Sequence, residues 1–335
     1  MQSRNSTFFN FRFAIAIAVT FLCVINFGFT EEHEKHATHQ ADKTAELNVK
    51  LHTEPQTIKA GESTSLMFHL TDKKGEPFTD LMIHHDRTLH VLIVSENLQI
   101  LGHVHPEDFE SRDMMAELEG VYTVHFTFPV AGRYILALDV MTADAEFSKH
   151  LYVDVEGENK MQEITHDLRT EKDIFGYKEE GGDRFTRAVS IRDEMDTSPY
   201  HAKIEVPEQI KVGEMVHIKY HFSLDGKPIN DLVPFLDAPM HFAIVNTHLD
   251  GILHTHGTVP MNGDSEKMKN DPHAAHKMKK SAKTGHQHQG STPEKFGPTV
   301  MLMTTFKKTG HYQIFGQLKH KDQILFPTFM VKVEK

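Results

Sequence analysis

The chain has no tryptophan and a single cysteine, Cys23. Cys23 sits inside an N-terminal apolar run, and the Thr20-Phe21-Leu22 before it lacks the small side chain that precedes a lipidated cysteine. Once such a leader is removed no thiol remains, so disulfides and thiolate metal ligands are excluded. Soft-metal chemistry then falls to histidine and methionine. Basic excess is missing as well, since 36 Lys and Arg stand against 47 Asp and Glu, for a formal net charge of -11. Without a positive field there is no counterion release to drive nucleic-acid binding, and that class of partner is set aside. No long segment shows helical periodicity, and the only long apolar run, Phe13 to Phe29, is 17 residues. A spanning helix needs about 20. With Arg4 and Arg12 ahead of it and Glu31 and Glu32 behind, the run reads as an export signal occupying residues 1–30. A periplasmic or extracellular location follows, with membrane attachment only if the segment is retained.

What the chain does have is histidine and methionine, 26 and 16 of them, and an internal repeat. Ile58-Lys59-Ala60-Gly61-Glu62 is answered by Ile210-Lys211-Val212-Gly213-Glu214, and Asp80-Leu81 by Asp231-Leu232. From the Asp-Leu pair the register holds without a gap: His90, His103 and His105 correspond to His241, His254 and His256. The copies meet again at Gly132-Arg133-Tyr134 and Gly310-His311-Tyr312, after a stretch 27 residues longer in the second copy. The excess is rich in Lys, Gly, Ser, His and Met and has almost no large apolar side chain, so it reads as a loop.

Within each copy, short alternating runs such as Thr64 to Thr71, Val121 to Phe128 and Arg133 to Met141 are separated by Gly, Pro and Asp turns. This predicts an all-β chain of two immunoglobulin-like or cupredoxin-like β-sandwich domains in tandem. The expected boundaries are a His-containing N-terminus at 31–45, domain 1 at 46–156, a linker at 157–200 with one short ordered piece, and domain 2 at 201–335 carrying a flexible loop at 260–296. The Gly-x-Tyr that opens a late strand in each copy matches the tyrosine corner of immunoglobulin-like domains.

Residues two apart on a strand share a face, so His103 and His105 project together, as do His254 and His256. A hairpin turning at Glu96-Asn97 would set His90 directly opposite His103, with His105 diagonal to it, within reach of one ion. The metal candidates are therefore His90, His103 and His105 in one domain and His241, His254 and His256 in the other, one site in each. Imidazole nitrogen suits a copper ion or a zinc ion, and three ligands leave a fourth position open. Aligning the Gly-x-Tyr points nominates His125 and Met303 as fourth ligands. His248 is expected to face solvent. His33, His36 and His39 near the start and His273, His276, Met278, His286 and His288 in the loop read either as metal-catching arms or as solvated low-complexity sequence. Against the metal reading stands ordinary surface histidine bonded to backbone or to acids such as Asp86 and Glu107.

Leu89-His90 through Gly102-His103-Val104-His105-Pro106, with its counterpart Asp231-Leu232-Val233-Pro234-Phe235 through His254-Thr255-His256, resembles the YtkA-like and FixH-like bacterial secreted proteins. The resemblance implies a sandwich fold, copper handling and these six histidines as ligands, with a metal transporter or metalloenzyme client as partner. The second copy departs from the pattern in having Gly257 where the first has Pro106. The function expected is a non-enzymatic metal-binding protein acting in storage, delivery or resistance. Two alternatives stand beside it. One is a cupin-like metalloenzyme, from His103-x-His105 followed by Glu110; the other is a metal-free immunoglobulin-like surface interaction module.

Overall fold

The computed structural model describes residues 47–111, Met115, and residues 119–158, 161–178, 189–190, 199–260 and 292–335. The first half carries β1 (Asn48–Glu54), β2 (Ile58–Lys59), β3 (Ser63–Thr71), β4 (Leu89–Ser95), β5 (Ile100–Val104), β6 (Val121–Thr127), β7 (Gly132–Met141) and β8 (Glu146–Glu156). Between the halves lie β9 (Glu171–Asp173), β10 (Phe175–Lys178) and β11 (Val189–Ser190). The second half carries β12 (Tyr200–Glu205), β13 (Ile210–Lys211), β14 (Met215–Leu224), β15 (Lys227–Pro228), β16 (His241–Asn246), β17 (Ile252–His256), β18 (Thr299–Thr305), β19 (Gly310–His320), β20 (Gln323–Phe326) and β21 (Thr328–Glu334).

Each half is a two-sheet sandwich. In the first, β1-β3-β6 faces β11-β5-β4-β7-β8-β2. In the second, β12, β14 and β18 form one sheet, and β17-β16-β19 with β20 and β21 form the other. Period-2 patterning explains the outer sheets: Leu66, Phe68 and Leu70 of β3 point into the core while their neighbours face out, and Val216, Ile218, Tyr220 and Phe222 of β14 do the same. The Gly-x-Tyr sites form tyrosine corners: Tyr134 Oη donates to Val130 O at 2.9 Å and Tyr312 Oη to Lys308 O at 3.0 Å.

The inner strands β4 and β16 are buried along their whole length, which alternation alone would not give. Leu89, Val91 and Ile93 fill the first half's own core. Leu92 and Val94, on the opposite face, pack with Ala243, Val245 and Phe315 of the second half in a shared apolar cluster. The two sandwiches thus meet sheet to sheet. Residues 157–200, expected as a linker with one ordered piece, supply three strands: β9 pairs with β12, β10 with β20, and β11 with β5. The apolar run Phe13 to Phe29, the N-terminal histidines and residues 261–291 of the expected loop lie outside the described residues. Among the described residues no helix is long and apolar enough to cross a membrane.

Candidate metal centre

The histidines are placed by two equivalent hairpins. In the first, Leu92 pairs with His103 and Val91 with Val104, so His105 comes level with His90. The predicted pairing of His90 with His103 is therefore off by two positions. The reason is the turn: Leu98 takes a left-handed φ of 57° and its N–H bonds Ser95 O, while Ser95 Oγ accepts from the amide of Ile100 at 3.0 Å. This moves the turn centre one residue onward. The second hairpin repeats the device, with Leu249 left-handed and Asn246 Oδ1 accepting from His248 and Asp250 amides, and it sets His241 opposite His256. Direct cross-strand neighbours are His90 and His105, or His241 and His256, and the middle histidine is the diagonal one.

His90, His103 and His105 are brought together. His90 Nδ1, His103 Nε2 and His105 Nε2 stand 3.2, 3.1 and 3.1 Å from one another. Their outer nitrogens are all engaged: His90 Nε2 donates to His84 O at 3.0 Å, His103 Nδ1 to Gln317 Oε1 at 2.6 Å, and His105 Nδ1 to Asp108 Oδ2 at 2.8 Å. Each outer N–H fixes its tautomer and leaves the inner nitrogen as a bare lone pair. Three lone pairs facing one another at this distance repel unless a cation lies among them. Ligands at about 2.0–2.1 Å around a tetrahedral ion stand about 3.3–3.4 Å apart, so the triad is within a few tenths of an ångström of a coordination set.

The second half repeats the arrangement. His241 Nε2 donates to Phe235 O at 2.9 Å, and its Nδ1 lies 3.4 Å from His254 Nε2. His254 Nδ1 lies 3.2 Å from Asp139 Oδ2, and His256 Nε2 is buried without a hydrogen-bond partner. The ligand atoms of His241, His254 and His256 all fall within 4.8 Å of one another.

Each half gathers its own three histidines, and the triads project from the sheet face that joins the two sandwiches, on the same side as Leu92, Val94, Ala243 and Val245, so they stand side by side. His103 and His254 have ring centroids 5.3 Å apart although they come from different halves. The rings are shut away from water; His90 is 3 % exposed and His105 1 %. Burial holds His90, His103, His105, His241 and His256 well below the usual imidazole range. Neighbouring imidazoles push the same way, and for His105 so does the Arg87 guanidinium.

Several participants escaped the sequence reading. His84 and His85, from the loop before β4, lean on the second triad, with His85 and His256 ring centroids 3.7 Å apart. Burial lowers His85 to about 3, helped by His84 and His254. Asp108 is a fully buried carboxylate held by Arg87 at 3.3 Å. Asp139 and Gln317 occupy equivalent positions, each paired across the sheet with the first histidine of its own half. Their common distance of seven residues past Gly132 and Gly310 was a signal available in the repeat.

Other nominations fall away. His125 bonds Ser65 at 3.0 Å from the outer face of β6, and Met303 alternates outward on β18, so both belong to the opposite sheets and neither is a fourth ligand. Glu107 accepts from the amide and hydroxyl of Thr88, not from a histidine. Glu110 is in neither histidine group. His248 is exposed, as expected. The loop and N-terminal arms lie outside the described residues.

Tandem β-sandwiches with a buried histidine cluster at their junction define the class of protein. The chain belongs to the family described as a domain of unknown function (DUF8832), whose pattern matches residues 41–157 and 194–335. No curated protein sequence matches it. Among solved structures it is similar to FdeC, an Escherichia coli adhesin, at 11% identity and a TM-score of 0.22, covering 86% of this chain and 64% of that one. It is similar to Salmonella alpha-2-macroglobulin at 10% identity and a TM-score of 0.22, covering 86% and 14%. Invasin, a bacterial integrin-binding protein, gives 10% identity and a TM-score of 0.21, covering 85% and 39%. The chain spans less than two thirds of each of these three structures, and at such TM-scores no functional inference is carried across.

Proposed function

We propose that the protein is an exported metal-binding protein that holds copper or zinc on histidine at the junction of its two sandwiches, for storage, delivery or resistance. The observation that carries this reading is the convergence of His90 Nδ1, His103 Nε2 and His105 Nε2 at 3.1–3.2 Å while every outer nitrogen is occupied. An all-imidazole set suits zinc and copper and is poor for magnesium or calcium, which take oxygen. Acceptors behind the ligands, such as Asp108, orient the rings and raise their basicity. The bound ion would supply charge to a cluster that otherwise has lone pairs in mutual contact. The N-terminal run flanked by Arg12 and Glu31 supports export to the periplasm or beyond. The resemblance to YtkA-like and FixH-like copper-handling proteins points the same way. A role in binding and hand-over rather than turnover fits a site built of ligands and their supports, with a metal transporter or client metalloenzyme as the partner.

The test is a titration of purified protein with copper(II) and zinc(II) across pH. Imidazoles bind as neutral ligands, and burial holds these well below the usual imidazole range, so affinity should persist through pH 6.5 and fall only at lower pH, where protons compete. Affinity unchanged in the variant His90→Ala/His241→Ala contradicts imidazole ligation. Complete absence of binding would favour the metal-free surface interaction module.

A further inference from the structure

The histidine cluster is wired across the junction. His254 groups not only with His241 and His256 but also with His90 and His103, its ligand atom within 4.8 Å of theirs in each set. Ring centroids of His90 and His254 are 5.1 Å apart and those of His103 and His241 5.5 Å, while within the first triad the values run from 4.6 to 5.5 Å. His90 and His241 are farther apart, at 6.3 Å, but the nearest rings of the two triads are as close as rings inside one.

The positioning contacts are exchanged as well. Gln317 of the second half holds His103 of the first at 2.6 Å, and Asp139 of the first half stands 3.2 Å from His254 of the second. These are equivalent positions of the repeat, so each half orients the middle histidine of the other. Asp139 is 6% exposed, and the oxygen it turns to His254, Oδ2, makes no well-aligned hydrogen bond there. A buried carboxylate is strongly favoured by a nearby cation, and costly without one.

We infer that the two triads form a single dinuclear centre, in which two copper or zinc ions are held close enough to interact, rather than two independent sites. The inference rests on the metal-binding reading above. Two cations a few ångströms apart repel, and Asp139 and Asp108 supply negative charge to offset that repulsion in a setting that screens poorly. Spacings of about 3.5–4 Å are usual for paired ions in proteins. Loading therefore requires both halves, since neither triad keeps its middle ring aligned without the other.

Copper(II) is the probe, added to the purified protein at one and two equivalents, with loosely held metal removed by gel filtration and the spins counted by electron paramagnetic resonance. The expected result is two retained ions per chain with an integrated signal well below two spins and a half-field transition from the coupled pair. Two full spins with isolated axial spectra, or saturation at one ion per chain, would overturn the dinuclear centre while leaving metal binding intact. No retained copper would remove the metal-binding reading itself. A second measurement uses Asp139→Asn, which keeps shape and removes charge. It should weaken the ion at His241, His254 and His256 by about 10–100-fold, the usual cost of losing a supporting contact. Unchanged binding in that variant, with His201→Ala as a surface control, would overturn the exchanged positioning.

Discussion

At the residue scale the site is a problem of tautomers. Backbone O of His84 and the carboxylate of Asp108 only accept, so His90 Nε2 and His105 Nδ1 must carry the hydrogens and their inner nitrogens are bare. Asp108→Asn removes the charge behind His105 and is expected to lower metal affinity about 10–100-fold in a titration, with little change in fold. A second consequence concerns protons. Five triad histidines sit well below 6.5 in the folded state, mainly by burial, so below pH 6.5 the unfolded chain takes up protons that the native state refuses. Stability approaches its full value well above pH 6.5 and declines as pH falls through 6.5 toward the folded-state values of these histidines. Denaturant melts of metal-free protein at pH 7.5, 6.5 and 5.5 should show the larger loss between the last two and a smaller one between the first two. The six triad positions were legible because histidines at matched spacing in two copies stand out from 26 scattered ones. Asp139 and Gln317 share a spacing in the repeat but differ in residue type, and they act on the opposite half, so nothing in the pattern tied them to the histidines.

At the element scale the two hairpins decide which histidines meet. Alternation was enough to place His103 and His105 on one face, but a strand pattern is blind to the length of the turn. Ser95 Oγ and Asn246 Oδ1 bond the amides beyond the turn, and left-handed Leu98 and Leu249 add the residue that shifts the register. Sheet class followed from the alternating runs, and the tyrosine corners from Gly-x-Tyr. Tyr134→Phe leaves Val130 O without its donor, and about 1 kcal/mol of stability should be lost in a chemical melt. Gly102 illustrates the tightness of β5: a Cβ there would lie 2.5 Å from the Phe126 ring, so Gly102→Ala should destabilise by about 1–3 kcal/mol and weaken the ion beside it.

At the scale of the whole molecule, the repeat reads as two like units, and nothing in its pattern says that their histidine faces meet. The clue was the inner strands, LHVLIVS and HFAIVN, whose unbroken burial needs cover on both faces. Leu92 and Val94 against Ala243 and Val245 supply that cover, and the histidines continue the same face to its polar end. Metal bound at such a junction stabilises both sandwiches together. At a free concentration 100 times Kd, the gain is about 2.7 kcal/mol, and one unfolding transition should move up by several degrees. Two transitions of which only one responds would place the ion within a single half.

The most direct measurement is the metal content of protein purified and dialysed against metal-free buffer after loading, beside the double variant His103→Ala/His254→Ala with residues 261–291 left intact. The wild type should retain copper or zinc in whole-number amounts per chain and the variant should lose it. Wild type that emerges free of metal, or a variant that keeps as much, would contradict a metal centre at the junction.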